Sequence, residues 1–470
     1  MNLGNSVFDF FLRAALAALD EPYAHDAIQI DGKGVLASRY PVTDLACASI
    51  GAAALMLARW INPASPPPVR LDRPLASWWF AHTLKPQDWQ LPAVRDAVTG
   101  DYAAADGWIR LHANAAHHRR RALRVLDLPD GAERDQVAAR VRAWSATDLE
   151  AALVEQAACA AALRPPEQWR RHPQGLAVVA EPLLHRQDGT AWTGAVEHGG
   201  PVWVQGDASS AARPLAGVRV LDLTRVLAGP VCTRFLAAWG AQVLRLDPTD
   251  WEEPGMVPEV TVGKRCAELD LRDPAGLDRF RRLLAQADVL VHGYRPDALD
   301  RLGLGADVRQ RLRPGLVDVS LDAWGWTGPW CARRGFDSLV QMSTGIAWPG
   351  RPDCKPDPLP VQALDQATGY WMAACVLKGL LDRRERSQGS QWRASLARTA
   401  ALLTSDALAD THEKTEPPLG AVPSDAYETA VESTAWGPAH RLQAPCRVGD
   451  VPWRWDRPAG ALRSSPPDWW

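Results

Sequence analysis

Two stretches of this chain hold residues whose types and spacing could do chemistry, and they lie far apart. In Pro214–Leu246, PLAGVRVLDLTRVLAGPVCTRFLAAWGAQVLRL, a β-branched and apolar run leads into a short loop and then into Ala228-Gly229-Pro230. A loop at the carboxyl end of such a strand is where an open α/β sheet holds its ligands. In ALDQATGYWMAACVLKGLL, residues 363–381, Asp365 stands at the start of a long apolar stretch. The helix macrodipole and the free N–H groups of a first turn would hold a carboxylate there ionised, as a nucleophile requires. The same place suits a plain N-cap, for which aspartate is among the best residues. VTDLACASIGAAALMLARW, residues 42–60, echoes this segment, with Asp44 answering Asp365. A further cluster, His117-His118-Arg119-Arg120-Arg121, has the charge of an anion site, but is expected to be a solvated helix face.

The elements that must position these residues follow from periodicity. Val218–Leu223, Gln242–Leu246, Ala287–His292 and Leu316–Leu321 read as buried parallel strands. Helices fall between them. One opens at Ala228, with Pro230 near its first position, and ends at Gly240, where a left-handed cap is expected. Another starts at Asp273-Pro274 with good cap chemistry. Alternating strand and helix predicts a Rossmann-like doubly wound parallel sheet. The first loop is not GxGxxG, so the dinucleotide fingerprint is absent. After Leu321 the chain becomes loop-rich, and the Asp365 helix is expected to end near a glycine-containing turn, Ser387–Gln391.

Composition bounds the partners. At 470 residues and 47% hydrophobic, the chain can bury a large core in two or more domains. A net charge of -3 gives no reason to expect nucleic acid or an anionic membrane as partner. Eight cysteines are scattered without CxxC or Cys/His clustering, which argues against a metal site and for free thiols in a reducing cytoplasm. The opening MNLGNSVFDFFLRAALAALDE has no basic start and is interrupted by Arg13, so it reads as an amphipathic helix and not as a signal peptide. No uninterrupted apolar window is long enough for a membrane span.

The wording of Pro214–Leu246 closely resembles the opening of the class III CoA-transferases, the CaiB/BaiF family. The resemblance continues in order through Gly263-Lys264-Arg265 with Glu268–Leu271, Ala287–Gly305, Arg333–Gly345 and Ala363–Arg384. It implies a large Rossmann-like domain and a smaller α+β domain. It also implies transfer of CoA from an acyl-CoA donor to a free carboxylic acid through an aspartyl anhydride and an aspartyl-CoA thioester. The LDxxTG of Leu364–Gly369 matches the block carrying the family's catalytic aspartate, so Asp365 is the implied nucleophile. Val226, Leu269, Tyr294, Arg301, Arg334 and Asp337 match CoA- or acyl-binding positions. Leu227 departs from the glutamine of formyl-CoA transferases, so oxalate-type substrates are not implied. CoA would be substrate and not a permanently bound cofactor. The expected partners are small molecules and, through the family's interlocked assembly, a second copy in a homodimer.

Order and one substitution depart from the family. Residues 1–205 resemble a degenerate copy of its second half, helix plus small domain. Residues 206–402, after the link GDASSAAR, are expected to be the CoA-binding large domain with the catalytic aspartate, and 403–470 resemble the family's end. The two copies read as a tandem or permuted arrangement, with Asp44 a cap in the decayed one. Racemases of the superfamily carry histidine before the acidic residue that here is Asp337. Phe336 stands there, which disfavours a 2-methylacyl-CoA racemase. A CoA-binding pseudoenzyme is the non-enzymatic alternative. The glycine-rich loop that covers the site in some members is not visible.

Overall fold

In the computed structural model, which describes residues 6–23, 26–191, 212–410 and 416–470, the expected strands form one sheet. Its order, edge to edge, is Lys264–Glu268, Gln242–Asp247, Arg219–Leu223, Val289–His292, Val317–Asp322, Gln388–Ser395 and His185–Ala191. All neighbours pair parallel except the last, which is antiparallel. The central strands are apolar because both faces are covered: Val220, Leu221, Val243, Leu244, Val289 and Leu290 are fully buried.

Gln388–Ser395 corrects the expectation of a turn at Ser387–Gln391. The chain reverses at Ser387 alone, in the left-handed region at φ +52°, and enters the sheet at the next residue. Gly389 serves packing there, since a Cβ would lie 2.7 Å from the Leu316 carbonyl oxygen. The helix before it, Ala363–Arg386, packs against Ala228–Ala238 and against Val42–Ile61. Gly369 permits the first contact: a Cβ would sit 2.4 Å from the Ala228 carbonyl oxygen. Close approach there seats the start of the Asp365 helix on the loop that follows the strand Arg219–Leu223.

Residues from 100 to 162 build a second, smaller core. Gly100–Ala103, Trp108–Leu111 and Ala160–Ala162 form an antiparallel sheet. Three helices, Ala116–Val125, Arg134–Val141 and Ala146–Glu155, pack against it around Ile109, Leu111, Val137 and Leu149. The helix Asp337–Ser343 docks on this sheet. Arg333 and Arg164, both donating to the buried Glu150, clamp the contact.

The segments separated by sequence are interleaved in space. His185–Ala191 closes the large sheet, while Gly437–Arg441 pairs with Leu84–Pro86 and Cys446–Val448 pairs with Val69–Asp72. The link at 206–213 lies outside the described residues as far as Ala211, as does the start of the chain up to Asn5; Val7–Ala18 is a helix, capped by Ser6. Val42–Ile61 is the helix, among the described residues, long and apolar enough to cross a membrane, and 78% of its apolar window is buried in this core.

Candidate active site

Asp365 is the third residue of its helix, three past the N-cap residue Gln362, and makes no cap bond. Its backbone reaches the second carboxyl the sequence singled out. The Asp365 backbone N–H donates to Asp337 Oδ2 at 2.9 Å, and Gln341 Nε2 donates to Asp337 Oδ1 at 2.5 Å. Both carboxyls are buried, 9% and 1% exposed. Burial and the facing Asp337 push Asp365 well above the ordinary carboxylate range, and burial raises Asp337 to about 6. This corrects the expectation that the helix terminus holds Asp365 ionised. Desolvation comes first and the like charge of Asp337 second, and both disfavour the ionised form.

Asp44 occupies the same third position of Val42–Ile61 but does different work. Arg73 clasps it with Nη1 at 2.9 Å and Nη2 at 3.3 Å, and gives its Nε to Glu416 at 2.9 Å. The expectation of a cap is corrected to one half of a part-buried ion pair.

Asp365 lies where two cavities meet. An inner cavity of about 270 Å³ and an outer one of about 590 Å³ share Val226, Leu227, Phe336 and Asp365 in their walls. The outer cavity runs along the carboxyl edge of the sheet, past Arg225, Tyr294, Arg295 and Arg334. Arg225 is fixed over the Trp251 and Tyr294 rings, 4.9 and 5.5 Å from their centroids. Several guanidinium groups beside two aromatic faces can hold phosphates and a nucleobase. The inner cavity is mixed in character, walled by Leu227 and Met256 on one side and Arg95, Arg110, His112 and Asn114 on another.

The loop between strand and helix is held rigidly open. Val226 adopts φ +67°, costly for a β-branched residue, and donates its N–H to Glu253 Oε2 at 2.7 Å. Below it, buried Lys264 donates to Asp222 at 3.0 Å, Thr233 Oγ1 at 2.6 Å and the Pro230 carbonyl at 3.1 Å. That explains the lysine of the Gly263-Lys264-Arg265 block as a strut under the loop.

Of the residues read from sequence, Val226, Tyr294, Arg334, Asp337 and Asp365 come together around these cavities. Leu269 and Arg301 do not line them. Leu269 packs half-buried on the Leu244–Leu290 cluster, and Arg301 is 71% exposed and paired with Asp297 one helical turn away. The solvated face expected of His117–Arg121 is corrected in part. His118 is buried, and both histidines border the outer cavity. Arg119 and Arg121 instead tie loops together through the Ala132 and Ala157 carbonyls. Sequence reasoning missed Arg225, Arg295, Arg110 and His112. The first two sit beside residues already singled out; the last two gave no local signal. Among the described residues, no cluster of three or more His, Cys, Asp or Glu side chains is arranged to hold a metal ion.

Comparison with known proteins gives the same direction. The sequence model of CoA-transferase family III matches residues 215–461, more than half of the chain. The chain is 31% identical over 225 residues to the "Acyl-CoA transferase" of Fusarium pseudograminearum, covering 43% of this chain and 49% of that protein. It is 32% identical over 229 residues to the "Succinyl-CoA:glutarate CoA-transferase" of Mus musculus, covering 45% and 51%. The "Probable fatty acyl-CoA transferase Rv3272" of Mycobacterium tuberculosis is 30% identical over 270 residues, covering 49% and 68%. A crystal structure of Rv3272 aligns with 40% of this chain and 56% of its own at a TM-score of 0.38. The chain spans about half the length of most of these relatives.

Proposed function

We propose that this chain, which belongs to CoA-transferase family III, moves CoA from an acyl-CoA donor to a free carboxylic acid, with Asp365 as the nucleophile. The observation that carries this reading is the place of Asp365, at the junction of an arginine-lined cavity and a smaller, mixed one. CoA lying along the sheet edge would bring its thioester to that junction, with the acyl group entering the inner cavity.

The chemistry starts from ionised Asp365, its proton lost to solvent or to the neighbouring Asp337, and the steps that follow need no general base. The Asp365 carboxylate attacks the thioester carbonyl carbon, the C–S bond breaks, and CoA leaves as thiolate with the electron pair, giving a mixed anhydride. The thiolate attacks the Asp365 carbonyl and expels the donor's carboxylate, leaving an aspartyl-CoA thioester. An acceptor carboxylate attacks that thioester, releasing thiolate and forming a second anhydride. The thiolate finally takes the acceptor's acyl group and restores Asp365. Relatives named for succinyl-CoA, glutarate and D-citramalate support carboxylic acids as the class of acceptor.

Burial tunes the nucleophile. A carboxylate outside bulk water is more basic than a solvated one, and Asp337 is the neighbouring carboxyl that titrates with it. Once ionised, Asp365 attacks without first shedding a hydration shell.

The test is covalent trapping. Incubation with an acyl-CoA and no acceptor should attach CoA at Asp365, as read by mass spectrometry of peptides, and hydroxylamine should remove it. Asp365→Ala should form no adduct and transfer no CoA while still binding it. An adduct on another residue, or turnover in Asp365→Ala, refutes the assignment.

A further inference from the structure

Resting on the transferase reading, we propose that His112 acts on the reacting acyl group, its imidazole N–H donating to the thioester carbonyl oxygen and to the oxyanion that forms when Asp365 attacks. His112 comes from the small sheet, more than two hundred residues before Asp365, yet it borders the same inner cavity as Asp365, Asp337 and Leu227. Its ring lies flat on Phe336, centroids 3.6 Å apart and planes 7° apart, and Phe336 immediately precedes Asp337. An edge-on contact from His118, at 6.0 Å, holds Phe336 from another side. The stack fixes the imidazole in one orientation, which a preorganised donor requires.

Hydrogen bonding identifies which nitrogen acts. Nδ1 is buried with no hydrogen-bond partner, and the backbone N–H of His112 is spent on the Cys159 carbonyl at 2.9 Å. A proton on Nδ1 would be an orphaned buried donor, costlier than an unpaired lone pair. The favoured tautomer therefore carries its proton on Nε2. His112 is half-buried and lines the inner cavity, and the ring nitrogen shut away without a partner is Nδ1, which leaves Nε2 as the donor open to a ligand.

The charge state fits a donor and not a base. Burial, with Arg110 and Arg95 adding positive charge, pushes His112 down to about 3, so the ring stays neutral through the physiological range. A neutral imidazole can donate to a developing oxyanion, while its conjugate acid is too strong for it to remove an α-proton. Arg110 cannot take the donor's place freely, because Asp101 holds its Nε and Nη2 at 2.6 and 2.8 Å.

Three full-length variants separate this role from a structural one. His112→Phe keeps the stack on Phe336 and deletes the donor; kcat should fall about 10²–10³-fold, with KM for the acyl-CoA and the melting temperature little changed. His112→Gln and His112→Asn lose the ring but keep a neutral N–H donor, and at least one should restore kcat to within about tenfold of wild type. If His112→Phe turns over like wild type, or both amide variants fail as badly as His112→Phe, the donor role is refuted. Wild-type α-deuteration of an acyl-CoA in deuterated water that His112→Phe abolishes would make His112 a base and also overturn it. A wild type that binds CoA but never forms the Asp365 adduct refutes the transferase reading and this proposal with it; a normal adduct with an unaffected His112→Phe refutes this proposal alone.

Discussion

Asp44 and Asp365 occupy the same third position of two helices that pack side by side, and their substitution should have opposite consequences. Asp44 is one half of a largely buried pair, its side chain 15% exposed and that of Arg73 9%. Removing one partner of such a pair leaves an uncompensated charge and costs about 3–5 kcal/mol. Glu416 remains on Arg73 Nε at 2.9 Å, so Asp44→Ala should fall near the low end, about 3 kcal/mol. The folded fraction that remains should transfer CoA at the wild-type rate, because Asp44 borders neither cavity. Asp365→Asn removes a charge that burial and Asp337 both oppose, so stability near pH 7 should be unchanged or increased. Its transfer rate should fall by roughly 10³–10⁶-fold, the range for losing a catalytic side chain that forms or directly supports the covalent bond. Chemical denaturation midpoints with a constant slope measure the first effect, and a transfer assay on protein of known folded fraction measures the second. An Asp44→Ala that is neutral in stability or that loses transfer would refute the reasoning, as would an Asp365→Asn that keeps turnover.

The carboxyl pair should show itself in pH dependence. Folding raises Asp337 to about 6 against an ordinary value near 4, so the folded state binds more protons between those values. The stability this group contributes is complete below about pH 4 and is lost as pH rises toward 6, a slope that Asp337→Asn should flatten in denaturation series. The same pair should place the acid limb of the kcat/KM profile well above pH 4, and Asp337→Asn should move it lower by removing the like charge; a limb left unmoved would mean that the pair does not control the nucleophile. Arg225→Ala should weaken CoA binding by about 1–3 kcal/mol in calorimetry, whereas Arg301→Ala should leave it unchanged, and the reverse would put the nucleotide elsewhere. With Phe336 before Asp337, a 2-methylacyl-CoA in deuterated water should gain little α-deuterium by mass spectrometry, and rapid exchange with inversion would favour a racemase.

The sequence by itself determined the parallel sheet, because strands buried on both faces are rich in apolar and β-branched residues and alternate with helical segments along the chain. The strand Arg219–Leu223, the helix from Ala228, the Asp273 cap and the left-handed Gly240, at φ +104°, all stand where local chemistry required. Asp365 and Asp337 were legible too, since each opens a helix inside a recognisable block. Tertiary structure alone decided what those positions do. Asp44 and Asp365 share a residue type, a helix position and an apolar context, yet a distant Arg73 neutralises one and a distant Asp337 destabilises the charge of the other. Ser387–Gln391 read as a turn because glycine and serine favour turns locally, whereas the neighbouring strands made it part of the sheet. His112 gave no signal because its neighbours along the chain are not its neighbours in space. Only the docking of the small sheet on the Asp337 helix brings it to the cavity. Period and capping act over a few residues and can be read in order; burial, charge pairing and cavity walls are sums over the whole fold and exist only once it has closed.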